Sequence, residues 1–327
     1  MRKLLLGTTA LAAVTLTTNA ALAADLSISG YYEFAYQSRG SDVAANDGTS
    51  MATDSEIKFS FKNKTDSGLE VGMAVEMDAD VAAFDETNMY IKGGFGTLLL
   101  GSQDGAGDKF AIDAEDVVSE EIQATGTDTL TLIDTDLADT SDSNKITYLA
   151  PAMGGFQAGI SYLDDGTDST TGAQDSIEMG AQYTVDAGAA TITLAGATRT
   201  TEQVSGTVDT EGQNIGVTVS AGNITAKVAQ STLEATNADE EANGVGISLK
   251  VSDDMTLGAY TIKIEDGTGT TDEEYTNTGA EVAYTIASGL TAYLNISDYD
   301  YKTGSGTGAG TTADSGTVSK LTIVATF

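Results

Sequence analysis

The feature that most limits what this chain can become is a two-residue rhythm of apolar against polar residues, which returns in sixteen short segments between Leu26 and Phe327. Alternation of this kind gives a β-strand one apolar and one polar face. The first set is Leu26, Ile28, Tyr32, Phe34 and Tyr36, set against Ser27, Ser29 and Glu33. Ile57, Phe59 and Phe61 follow, then Leu69, Val71, Met73, Val75 and Met77, and the pattern runs on to Leu321, Ile323, Ala325 and Phe327. Pro151 is the one proline and Trp is absent, while Gly, Thr and Ala abound, which suits many short strands joined by tight turns.

A second rhythm lies in the connections. Those at 186–188, 221–222, 252–254 and 287–289 are short, whereas those at 37–53, 164–174, 200–211, 231–242, 266–273 and 300–315 are long and polar. Short and long alternate when one rim of an antiparallel barrel is trimmed and the other elaborated.

The charges bear on which face meets what. With each strand phased by its apolar residues alone, Lys58, Lys62, Lys92, Lys145, Arg199, Lys227, Lys250, Lys263 and Lys320 all fall on the polar face. A lysine facing lipid near the bilayer midplane costs about 2–4 kcal/mol, so a membrane barrel requires this exclusion. A soluble sandwich would show the same alternation with its apolar face turned to a core. Sixteen strands would need two such sandwiches, yet no linker or shift in composition divides the chain. Aromatic residues also sit near strand ends, at Tyr32, Tyr36, Phe59, Phe61, Phe156, Tyr162, Tyr284 and Phe327, as interfacial girdles do. The expectation is an all-β, sixteen-stranded antiparallel transmembrane barrel. Tyr31, Tyr90 and Tyr293 are the tyrosines assigned inward, too few for the aromatic ladder of a sugar-specific channel.

Composition removes most chemistry. The 327 residues include no Cys and no His, which excludes thiol nucleophiles, disulfides, Ser-His-Asp triads and the usual zinc ligands. The formal charge is −34, from 15 bases and 49 acids. Such a polyanion repels nucleic acid and anionic surfaces and attracts cations.

The N-terminus carries an address. Arg2 and Lys3 precede an apolar and small-residue run from Leu4 to Leu16, and Ala21-Leu22-Ala23 fits the small-x-small cleavage rule. Residues 1–23 are read as a secretory signal and 24–327 as the barrel.

One stretch, 102–142, breaks the rhythm. It holds twelve acids, Asp104, Asp108, Asp113, Glu115, Asp116, Glu120, Glu121, Asp128, Asp134, Asp136, Asp139 and Asp142, against the single base Lys109. A connection this long is usually functional or disordered, and this one is read as the constriction loop of a pore. Asp134-Thr135-Asp136 lacks the glycine and terminal glutamate of a calcium loop, so weak divalent-cation binding is the one metal expectation, and no cofactor is expected. Gly105-Ala106-Gly107 lacks the spacing of a dinucleotide fingerprint. Glu120-Glu121 reads as solvated acid rather than a catalytic pair.

The segments flanking this loop resemble the Gram-negative general porins, those of alphaproteobacteria above all. The matching residues are Tyr90-Ile91-Lys92-Gly93-Gly94-Phe95-Gly96-Thr97-Leu98 before it, and Asn144-Lys145-Ile146-Thr147-Tyr148-Leu149-Ala150-Pro151 with Gly155-Phe156 and Tyr162 after it. Terminal Phe327 is similar to the aromatic residue read by the outer-membrane assembly machinery. The resemblance implies a homotrimer in the outer membrane of a Gram-negative bacterium, with the third long loop folded inward. It also implies wall bases Lys58, Lys62, Lys92 and Lys145 facing loop acids drawn from Asp104, Asp113, Glu115, Asp116, Glu120 and Glu121. The expected function is passive diffusion of small hydrophilic solutes, with cations preferred. The rival is a secreted or surface-bound β-rich adhesion or layer protein.

Overall fold

The computed structural model describes residues 25–79, 83–119, 137–164, 173–203, 208–236, 238–268, 271–305 and 312–327. The strands are β1 (Asp25–Ser41), β2 (Gly48–Lys64), β3 (Glu70–Asp78), β4 (Ala83–Gly93), β5 (Gly96–Gln103), β6 (Ser143–Leu149), β7 (Phe156–Leu163) and β8 (Ala173–Asp186). They continue as β9 (Ala190–Gln203), β10 (Thr210–Ala221), β11 (Ile224–Ala235), β12 (Ala238–Lys250), β13 (Met255–Thr268), β14 (Thr271–Ala287), β15 (Leu290–Ser305) and β16 (Thr312–Thr326). Each strand pairs antiparallel with its neighbours in sequence, and β1 pairs with β16 to close the barrel. Closure leaves no unpaired edge, the condition for backbone to cross a bilayer as strands.

The barrel is polar inside and apolar outside. Ile215 is 65% exposed, Leu294 56% and Ile296 54%, whereas Glu56 is 2%, Asn277 0% and Thr322 0% exposed. A sandwich would bury the first group, so the alternation belongs to a lipid-facing wall. No helix among the described residues is long and apolar enough to cross a membrane. The trimmed rim turns tightly through glycines such as Gly188 (φ 82°) and Gly289 (φ 74°), a left-handed conformation that a side chain disfavours.

Three expectations need correction. First, Lys263 lies on the outer face: its register partners are Asn243 and Thr276, while Tyr260 sits opposite Gly246, which faces inward beside Lys227. The apolar set Tyr260, Ile262 and Ile264 therefore points into the barrel, where the third loop covers it. The apolar residues of β13 follow a second, internal core, so the rule that places apolar residues outward fails there. Second, Tyr260, Tyr275, Tyr299 and Tyr301 join the inward tyrosines, but all four are buried against the wall rather than laddered along open water. Third, the connections at 231–242 and 266–273 are strand almost to their tips, because a ladder of backbone bonds tolerates polar side chains beyond the membrane.

Candidate functional site

Between Gln103 and Ser143 the described residues, 104–119 and 137–142, leave the wall and lie against the barrel interior. The outgoing limb forms a one-turn helix, α1 (Ala106–Phe110), then a 3-10 turn at Glu115–Val117. Its side chains meet a track of glycines on the inner wall. A Cβ on Gly180 would come within 2.7 Å of the Phe110 Cβ, one on Gly216 within 2.5 Å of the Ile112 Cβ, and one on Gly244 within 2.6 Å of the Ala114 Cβ. The wall carries no side chains there because the loop supplies them. Beyond, Val117 and Val118 close over the apolar patch formed by Tyr260, Ile262 and Ile264.

Wall side chains bond the loop's backbone. The Ala106 N–H donates to Ser161 Oγ at 2.7 Å, and the Gly107 N–H to Glu178 Oε2 at 3.2 Å. The Ile112 N–H donates to Asn214 Oδ1 at 2.9 Å, and Asn214 Nδ2 returns a bond to the Ile112 carbonyl at 3.0 Å. The Ser119 N–H donates to Glu281 at 3.0 Å. On the returning limb the Thr140 N–H donates to Glu178 Oε1 at 2.9 Å, so one carboxylate ties both limbs together. These bonds satisfy polar groups shut away from water, which would otherwise be costly.

Under this neck lies a buried ion cluster. The Lys145 side chain is fully buried; its Nζ is 3.2 Å from Glu178 and 3.6 Å from Asp139, and it donates to the Ser141 carbonyl at 2.8 Å. Arg199 donates to the Asp139 carbonyl. A lysine this deep is tolerable only because two carboxylates compensate it. At the neck's outer edge the Asp104 carboxyl is pushed up to about 7, by partial desolvation first and then by Asp108, Asp139 and Asp142. Asp142 is pushed up to about 6, again by desolvation first and then by Glu86 and Asp85. Like charges crowded together hold protons more tightly.

The candidate residues among those described are scattered rather than drawn into two facing rows. Lys145 meets Asp139 and Glu178 beneath the loop, and Lys58 pairs with Glu76 across β2 and β3. Lys62 lies opposite Asp25 and Lys92 opposite Glu70, both at the trimmed rim and away from the loop. Asp113 and Glu115 are buried between loop and wall. Asp116 pairs with Lys227 at 3.1 Å. Glu120, Glu121 and the Asp134-Thr135-Asp136 motif lie outside the described residues. Nothing local in the sequence marks Ser161, Glu178, Asn214 and Glu281 as partners of this loop, because these contacts span 55 to 162 residues and leave no local spacing.

Comparison with solved structures returns barrels of the same architecture. A loop-deleted form of OmpT, an outer membrane protein of Vibrio cholerae, matches with a TM-score of 0.67 at 15% identity, over 93% of this chain and 99% of its own. A triple mutant of Rh. blastica porin matches with a TM-score of 0.64 at 18% identity, over 92% of this chain and 100% of its own. The anion-selective porin from Comamonas acidovorans matches with a TM-score of 0.62 at 16% identity, over 93% of this chain and 100% of its own. No curated protein sequence matches. The profile of the Gram-negative porin family, however, spans residues 7–304. With the apolar band turned outward, this places the barrel in the outer membrane and leaves the secreted layer protein without support. The chain belongs to the Gram-negative porin family and forms an outer-membrane channel.

Proposed function

We propose that the channel passes small hydrophilic solutes by diffusion, catalyses no reaction, and prefers cations. The observation that carries the charge preference is the imbalance of carboxylates over bases along the inner wall and loop. Lys58, Lys145, Lys227 and Lys320 each have a carboxylate within ion-pair distance. Two further groups of carboxylates, Glu56 with Asp78 and Asp85, and Glu86 with Asp104 and Asp142, have oxygens within 4.8 Å of one another. A cation entering this field replaces part of its hydration with acceptor oxygens, whereas an anion meets repulsion. The Comamonas neighbour is named anion-selective on a similar barrel, so the side chains, not the architecture, set the sign. Reversal potentials across planar bilayers under a salt gradient test this: cation preference is expected, weakening at high salt as the charges are screened. An anion-selective sign would overturn it.

The active unit in this reading is a homotrimer, exported through cleavage after Ala23 and assembled through Phe327. The outer wall supports an oligomer asymmetrically. Glu202, Glu211, Glu234, Glu241, Glu265 and Glu274 ring the upper outer face from β9 to β14, while β16, β1 and β2 present Thr317, Ser319, Ser38, Met51, Thr53 and Ser55. The uncharged sector suits contact between copies.

A further inference from the structure

We infer that Gly212, Asn214 and Gly216, the three successive inward residues of β10, form a seat that positions both limbs of the third loop and so sets the free width of the pore. The inference rests on the channel reading and goes further, to what holds the aperture. Asn214 is 3% exposed, and its amide is almost fully used. Oδ1 accepts from the Ile112 N–H, one Nδ2 hydrogen goes to the Ile112 carbonyl and the other to Ser231 Oγ at 2.8 Å. Gripping both backbone groups of one residue fixes that residue's height and rotation, much as a partner strand would. Serine as third partner holds the amide plane, which leaves the grip no freedom to turn.

The glycines on either side set the distance. Ile112 rests over Gly216, whose added Cβ would meet the Ile112 Cβ at 2.5 Å. On the other side the returning limb rests over Gly212, where an added Cβ would run into the Leu137 carbonyl oxygen. Outgoing and returning limbs therefore share one strand. Asn214 is neutral, so it acts on aperture without adding charge to the lumen. It is a positioning residue, touching the loop rather than the solute.

Two substitutions should act in opposite ways. Asn214→Leu removes two loop bonds; at about 1 kcal/mol each, the loop should stand away from the wall about thirtyfold more often. Open-channel current noise should rise by that order, with the reversal potential unchanged. Gly216→Ala should push the loop into the lumen, giving lower conductance without added noise. The chain contains no cysteine, so Ala114→Cys, 1% exposed in the seated loop, offers a readout independent of conduction. Its labelling by a small maleimide should speed up about thirtyfold when Asn214→Leu is added, in proportion to the lifted population. Oxidising Ala114→Cys with Gly244→Cys should pin the loop again and silence the Asn214→Leu noise; the two Cβ positions, 2.6 Å apart, need about 1 Å of relaxation for a disulfide. Unchanged labelling and unchanged noise in Asn214→Leu would overturn the seat, as would noise that persists after the disulfide forms. If the unmodified protein fails to conduct, the channel reading falls while the labelling result still judges the seat.

Discussion

At the scale of single residues, the loop neck shows that counting acids overstates charge. Asp104, pushed up to about 7, and Asp142, pushed up to about 6, are partly protonated near neutrality. Their folded values lie above those of free carboxyls, so the folded chain holds these protons more tightly than the unfolded one. The two groups therefore weaken the fold above pH 7, and that penalty is released progressively as pH falls from about 7 toward the free carboxyl range near 4. If the channel prefers cations as proposed, conduction should follow the same titration, and that preference should fall between pH 8 and pH 5. Asp104→Asn should remove the upper part of that change, read as a flatter profile of reversal potential against pH. A profile without change across this range would show that the neck does not face the permeating ions.

At the scale of elements, the described part of the third loop behaves as a layer packed on the wall. Its apolar end, Val117 and Val118, is 8% and 6% exposed over β13. Burying a valine contributes roughly 1.5–3 kcal/mol, so Val117→Ser with Val118→Ser should free this end while the closed ladder stays intact. Limited proteolysis should then cut near 110–119 in a barrel that still migrates as folded before boiling. Resistance equal to that of the unmodified protein would mean that the backbone bonds to Asn214 and Glu281 hold the loop without help from packing. The same apolar contact misled the reading of β13. Alternation alone would turn Tyr260, Ile262 and Ile264 to lipid, because nothing local distinguishes an apolar face turned to lipid from one turned to a loop.

At the scale of the whole molecule, the outer and inner faces should answer differently to the same substitution. Ile215→Lys places a charge on the lipid side and should cost about 2–4 kcal/mol if near the midplane, read as a lower folded yield in liposomes by heat-dependent gel migration. Gln182→Lys, on the inner face by its place beside Gly180, should fold normally. Equal yields would contradict the assignment of faces. The sequence by itself determined the strand count, the even closure, the trimmed and elaborated rims and the site of the odd loop, because period-two patterning and turn residues act between near neighbours. The tertiary structure alone decided which side chains hold that loop. Glu178, Asn214 and Glu281 meet it across 71, 102 and 162 residues, and only closing the barrel brings such distant inward faces to one wall.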